Sequence, residues 1–309
     1  MATDNLATVR DEINRLKSER KAVILAHNYQ IEEVQDVADY LGDSLGLSRT
    51  ASTVDAEVIV FCGVHFMAET ASILCPDKTV LLPDPHAGCP MADMITRTQL
   101  IELKRQHPNA VTVGYVNTSA EVKAELDICC TSANAVEVVE SVGSEQQIIF
   151  VPDKYLGAFV ESRTGRTLIK WNGYCPTHAM ILPQDISACQ RQYPNAEIVV
   201  HPECTPEVIQ IADSVLSTSG MCSYVSESSS SEFIIGTEVG IVHRLRKENP
   251  QKKFYPVRKQ TICPNMKLIT CQKVLQSLRD MRHEVRVSNE IRRSALKALD
   301  RMLQIGAKR

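Results

Sequence analysis

Three stretches of this chain end in the same dipeptide. "PHAGCPMAD" reaches it at Cys89, "WNGYCPTHA" at Cys175 and "KQTICPNMK" at Cys263, steps of 86 and 88 residues. A second recurrence keeps step with the first. "VILAHNYQIEEVQDVADYLGDS" starts at Val23, "VTVGYVNTSAEVKAELDICCTS" at Val111 and "EIVVHPECTPEVIQIADSVLST" at Glu197. Columns match inside the block: Val34, Val122 and Val208; Glu33, Glu121 and Glu207; Asp39, Asp127 and Asp213; Ser44, Ser132 and Thr218. A registered period of this length means three copies of one supersecondary unit, and any fold must accommodate all three.

Each copy reads as strands alternating with helices. In the first, "AVILAH" is continuously apolar, the pattern of a parallel strand buried on both faces. Ile31, Val34, Ala38 and Leu41 then mark a helical stripe that Gly42 ends. "AEVIVFCGV" and "KTVLLPD" are further strands around the short helix "FMAETASIL", and the Cys89 loop leads into the helix "TRTQLIELKRQ". The second and third copies repeat this order. An amphipathic helix with Leu6, Val9, Ile13 and Leu16 on one face precedes them, and a helix capped by Ser288 follows. The expectation is an α/β fold of three small parallel-sheet α/β/α domains around a central site, related by a pseudo-threefold axis. Their approximate spans are 1–103, 104–189 and 190–309.

Ligands of open parallel sheets bind beyond the carboxyl ends of the strands. The first strand of each copy ends at His27, Tyr115 and His201, and two residues on stand Tyr29, Asn117 and Glu203. The third strands run into the loops of Cys89, Cys175 and Cys263. Closure around a threefold axis would bring all nine residues together. Three thiolates on such an axis suit a cubane [4Fe–4S] cluster with one iron left open, a Lewis acid. Zinc on three cysteines plus an exogenous ligand is the alternative, although zinc sites usually draw on a C-x-x-C pair that this chain lacks. The total of eleven cysteines is odd, and no signal peptide precedes them. That argues against a disulfide framework and for a reducing cytoplasm. A net charge of −3 gives no case for nucleic acid or anionic membrane, and no apolar run has the length of a membrane span.

Ser44, Ser132 and Thr218 stand before helical stretches. They are either ordinary N-caps or three sides of an anion cradle. His27, His201 and His178 are histidines suited to proton transfer near neutral pH. Glu203 is the candidate general base, with a surface ion pair as the bland alternative, and Tyr29 and Tyr115 can place hydroxyls near a reacting group. The chain has no G-x-G-x-x-G, no P-loop and no G-x-S-x-G, so nicotinamide, P-loop ATP and hydrolase-elbow chemistry are unsupported. An aconitase-like open-iron dehydratase and a non-catalytic cluster sensor remain as rivals.

Together "AHNYQ", "GDSLGLSR", "GCPMAD", "YVNTSAEVKA", "TSANA", "GYCPTH", "HPEC", "STSGM" and "CPNMK" resemble the quinolinate synthase A family over residues 20–270 or so. The resemblance implies condensation of iminoaspartate with dihydroxyacetone phosphate to quinolinate, phosphate and water, in de novo NAD synthesis. It implies a [4Fe–4S] cluster on Cys89, Cys175 and Cys263 with one open iron. Substrate-binding positions fall on His27, Ser44, Tyr115, Asn117, Ser132, His201, Glu203 and Thr218, with Tyr29 and His178 also lining the site. Catalytic roles are expected of Glu203, His201, Tyr115, Tyr29 and His178. The expected partners are the two substrates and a transient contact with L-aspartate oxidase, with neither nucleic acid nor membrane, in the cytoplasm.

Overall fold

A computed structural model of the protein describes residues 2–305. It holds three four-stranded sheets, and every strand pairing within them is parallel. The first contains β1 (Ala22–His27), β2 (Tyr40–Gly42), β3 (Val58–Cys62) and β4 (Thr79–Leu81). The second contains β5 (Val111–Tyr115), β6 (Ile128–Cys130), β7 (Ile148–Val151) and β8 (Ile169–Lys170). The third contains β9 (Glu197–Val200), β10 (Ser214–Val215), β11 (Glu232–Gly236) and β12 (Lys253–Pro256). The order is the same in each: second, first, third, fourth. Apolar β-branched runs make these strands because helices cover both faces, and β3 and β7 are buried at every position.

The repeated aspartates hold the repeated backbone. Oδ2 of Asp39, Asp127 and Asp213 accepts the amide of Ile24, Thr112 and Ile198, at 2.8 Å in all three copies. That bond fixes the chain as it returns beside the first strand, and it explains a difference from the sequence reading. The stripe through Leu41 is not one helix. The helix stops at Val37 and Leu41 belongs to β2, because the Asp39 bond pulls residues 40–42 into the sheet. The second and third copies do the same, with helices Ala120–Lys123 and Pro206–Gln210 ahead of β6 and β10.

The ends of the chain tie the copies together. Val9, Ile13 and Leu16 of the first helix are buried, and that helix packs on helix Cys271–Asp280; the Leu6 side chain lies outside the described residues. The segment after that helix lies antiparallel along β4, with Val285 N–H donating to Val80 O at 2.8 Å. The last helix, Asn289–Gln304, has Ser288 as its N-cap and crosses to β6, where Asn134 Nδ2 reaches Met302 O. No helix among the described residues is long and apolar enough to cross a membrane.

Candidate active site

Each cysteine loop is pinned at an equivalent point. The amides of His65, Lys154 and Val239, just past β3, β7 and β11, donate to Ala87 O, Gly173 O and Thr261 O at 2.7, 2.9 and 3.0 Å. Each acceptor lies two residues before a Cys-Pro. Gly173 permits the second of these approaches, since a Cβ there would stand 2.4 Å from Pro152 O. Proline then fixes φ and contributes no N–H, so the chain folds back under the sulfur. The Cys89 sulfur faces the amides of Met91 and Ala92, that of Cys263 faces Asn265 and Met266, and that of Cys175 faces His178. All three cysteines are unpaired, half-buried and line one cavity. Burial pushes the Cys89 thiol up to about 12 and the Cys175 and Cys263 thiols upward as well. Cys89 is further raised by Cys263, and Cys175 by Cys89. Such thiols ionise only beside a cationic group.

The strand ends meet in the same cavity. His27, Tyr115 and His201 line it, as do Tyr29, Asn117 and Glu203. The two histidines are held alike: Nδ1 of His27 accepts the Tyr29 amide at 3.2 Å, and Nδ1 of His201 accepts the Glu203 amide at 3.3 Å. That leaves the proton of each neutral ring on Nε2. Burial lowers His27 to about 4 and His201 to about 3. This corrects the expectation that they titrate near neutrality: they are neutral donors, not proton carriers at pH 7.

A hydrogen-bonded chain runs across the cavity. Tyr29 Oη meets Thr237 Oγ1 at 2.5 Å, and Thr237 Oγ1 meets His178 Nε2 at 2.8 Å. His178 Nδ1 lies 2.7 Å from Glu203 Oε2, and Tyr115 Oη donates to Glu203 Oε1 at 2.6 Å. Burial alone would raise the Glu203 carboxyl. His178, His201 and Tyr115 more than offset it, holding the group well below the usual carboxylate range. Burial and the Glu203 charge push both tyrosines upward, so they remain protonated. His178 Nδ1 also lies 3.1 Å from Cys175 Sγ, and donor atoms of Cys175, His178 and Glu203 lie within 4.8 Å of one another.

A model of the quinolinate synthetase A protein family matches residues 11–304. The chain belongs to that family. It is 58% identical over 297 residues to the quinolinate synthase of Dehalococcoides mccartyi strain CBDB1, covering 96% of this chain and 98% of that one. Against the quinolinate synthase of Methanosarcina barkeri strain Fusaro the identity is 54% over 299 residues, covering 97% and 98%. Against that of Desulforudis audaxviator strain MP104C it is 55% over 294 residues, covering 95% and 97%.

In this quinolinate synthetase A chain the hydroxyls Ser44, Ser132 and Thr218 also line the cavity. In the first and third copies their neighbours cap the helix: Asp43 Oδ1 accepts the Gly46 amide at 2.8 Å and Ser217 Oγ the Gly220 amide at 3.2 Å. In the second copy helix Ala135–Glu140 has no side-chain cap, and Asn134 Oδ1 accepts the Thr131 amide ahead of it at 2.8 Å. None of the three hydroxyls is itself the helix cap. Asn117 Oδ1 is buried with no partner among the described residues. Sequence reasoning missed Thr237, Glu238 and Asp43. Register places Thr237 in one column with Gly63 and Pro152, and Glu238 with Val64 and Asp153. A search for agreement between copies passes over such columns, yet they too stand at carboxyl ends of strands.

Proposed function

We propose that the chain condenses iminoaspartate with dihydroxyacetone phosphate, releasing phosphate and water to give quinolinate. The family supports the reaction, and the relay from Tyr29 to Tyr115 through Thr237, His178 and Glu203 is the observation that carries its assignment to this cavity. The proposed compartment is the cytoplasm, whose reducing poise suits eleven free thiols.

Cys89, Cys175 and Cys263 fit an iron–sulfur cluster. They are three soft donors around one cavity, with backbone amides directed at each sulfur, as cluster thiolates favour. When bound, a cluster on three cysteines supplies an iron with an open position that acts as a Lewis acid. A single metal on Cys175, His178 and Glu203 would compete for atoms that already bond one another, and it would leave Cys89 and Cys263 without a role.

The remaining steps belong to the side chains. Ser44, Ser132, Thr218 and Asn117 donate to carboxylate and phosphate oxygens and hold the two substrates in reacting geometry. His27 and His201, neutral, donate from Nε2. Glu203 is the base: it takes a carbon-bound proton during tautomerisation and condensation. That proton passes through His178 and Thr237 to Tyr29, whose hydroxyl delivers one to the departing hydroxyl group. Tyr115 donates to the Glu203 carboxylate and steadies its ionised form, which is restored when the proton leaves through His178.

Anaerobic enzyme given both substrates should form quinolinate, and omitting dihydroxyacetone phosphate should abolish it. Product formed without the phosphate ester, or turnover of a single hydroxy acid, would replace this reading with that of a simple dehydratase.

A further inference from the structure

On the proposed reaction both substrates are anionic, yet the cavity holds no lysine or arginine among its described lining residues, and three of those residues are acids: Asp43, Glu203 and Glu238. Neutral donors alone compensate such charge poorly away from water. The cations stand just behind the wall.

Lys123 is fully buried. Its Nζ donates to Thr118 O, next to Asn117, and lies 5.3 Å from the centre of the Phe66 ring, which itself lines the cavity. Burial lowers the Lys123 amine from its ordinary value, and Glu69, the acid that most supports its charge, makes no direct ion pair with it among the described residues; that carboxylate accepts the Ala120 amide at 3.1 Å. Arg244 Nη1 donates to Asn28 Oδ1 at 2.8 Å. A guanidinium can only donate, so Asn28 must turn its oxygen to Arg244 and its Nδ2 to Thr218 Oγ1, also at 2.8 Å. The Thr218 hydroxyl, having accepted, keeps its proton for an oxygen in the cavity. The acid facing Arg244, Glu248, is 45% exposed and screened by water, so the buried end of the guanidinium stays positive. Lys267 is a third cation, but Glu238 at 2.9 Å cancels it.

We propose that Lys123 and Arg244 are the positioning residues that supply the positive charge for the anionic substrates from behind the cavity wall. Lys123 acts through Phe66 and the Asn117 loop, and Arg244 acts through Asn28 and Thr218. Charge acts over several ångströms where water is excluded. The arrangement has a chemical reason: a lysine amine inside the cavity would condense with the ketone of dihydroxyacetone phosphate to a Schiff base and release water, diverting the substrate. An ammonium behind the wall attracts without reacting. This inference rests on the proposed reaction.

Enzyme purified anaerobically with its cluster, as wild type and as K123M, R244Q and N28D, is titrated with quinolinate by calorimetry and assayed for KM, brown absorbance and thermal midpoint. K123M and R244Q should each weaken quinolinate binding and raise KM for dihydroxyacetone phosphate about tenfold or more, the effect of losing a unit charge that acts over several ångströms where water is excluded. The loss should fall on KM more than on kcat, with absorbance and midpoint retained, and R244K should recover part of it. N28D still pairs with Arg244 but claims the Thr218 proton, so it should bind quinolinate least. Unchanged binding and KM in all three would overturn the proposal. So would losses that appear only together with lost absorbance and a lowered midpoint. A wild type that binds quinolinate but does not make it would overturn the reaction and leave charge recognition to be judged on the binding data.

Discussion

At the end of its first strand the first repeat reads His27-Asn28-Tyr29, and the third reads His201-Pro202-Glu203. In both the histidine Nδ1 accepts the amide two residues on, at 3.2 and 3.3 Å. In both an aspartate sixteen residues into the block bonds the strand backbone at 2.8 Å. At the second position past the histidine the two strand ends part company. The first repeat presents a phenol at one end of the relay, and the third presents the carboxylate at its middle. One repeat caps its cavity-facing helix with Asp43 and the other with Ser217. The agreeing aspartates hold the backbone and the agreeing cysteines and hydroxyls line the cavity, whereas the columns that differ supply the relay. Triplication supplied three strand ends and three thiols around one centre, and divergence made an asymmetric site from them.

The comparison can be broken first at the cysteines, which should be equal. Serine at Cys89, Cys175 or Cys263 should abolish quinolinate formation together with the brown absorbance, to the same extent in each repeat. One variant that kept both would remove that position from the shared centre. The second test probes asymmetry. E203Q should lower kcat by about 10²–10⁴, the usual loss of a general base, whereas glutamine at His27 in the first repeat should cost mainly substrate affinity. T237V, which cuts the relay beside Tyr29, should cost about tenfold in kcat, less than the base itself. Similar losses for E203Q and H27Q would mean the repeats had not divided the work.

The third test is of stability. Alanine at Asp39, Asp127 or Asp213 leaves a strand amide unpaired and should cost about 1–3 kcal/mol in denaturant melts, with KM kept. The last test is one of pH. His27 and His201 ionise less readily when folded than the ordinary value of 6.5, at about 4 and about 3. As pH falls below 6.5 the unfolded chain takes up protons that the folded chain refuses, so stability should fall between pH 6.5 and pH 4. Thermal midpoints across that range should decline less in H201Q than in wild type.

Much of this was legible in the sequence because symmetry carried it. The Cys-Pro loops, the strand-end histidines and the hydroxyl column all reach one cavity. The short strands β2, β6 and β10 were not legible, because residues such as Leu41 continue an apolar helical stripe that only the aspartate bond interrupts. Thr237 and Glu238 were hidden for the opposite reason: their columns hold Gly63 and Pro152, Val64 and Asp153, and nothing repeats. Lys123 was hidden because a lysine on a four-residue helix reads as solvent-facing until Phe66 and Thr118 are seen to enclose it.

Iron and acid-labile sulfide per chain, measured on anaerobically purified wild type alongside thiol alkylation of the same sample, bear most directly on the shared centre. About four iron and four sulfide per chain are predicted, the content of one cubane, with Cys89, Cys175 and Cys263 all protected from alkylation. One metal per chain without sulfide, and Cys89 and Cys263 open to alkylation, would contradict it.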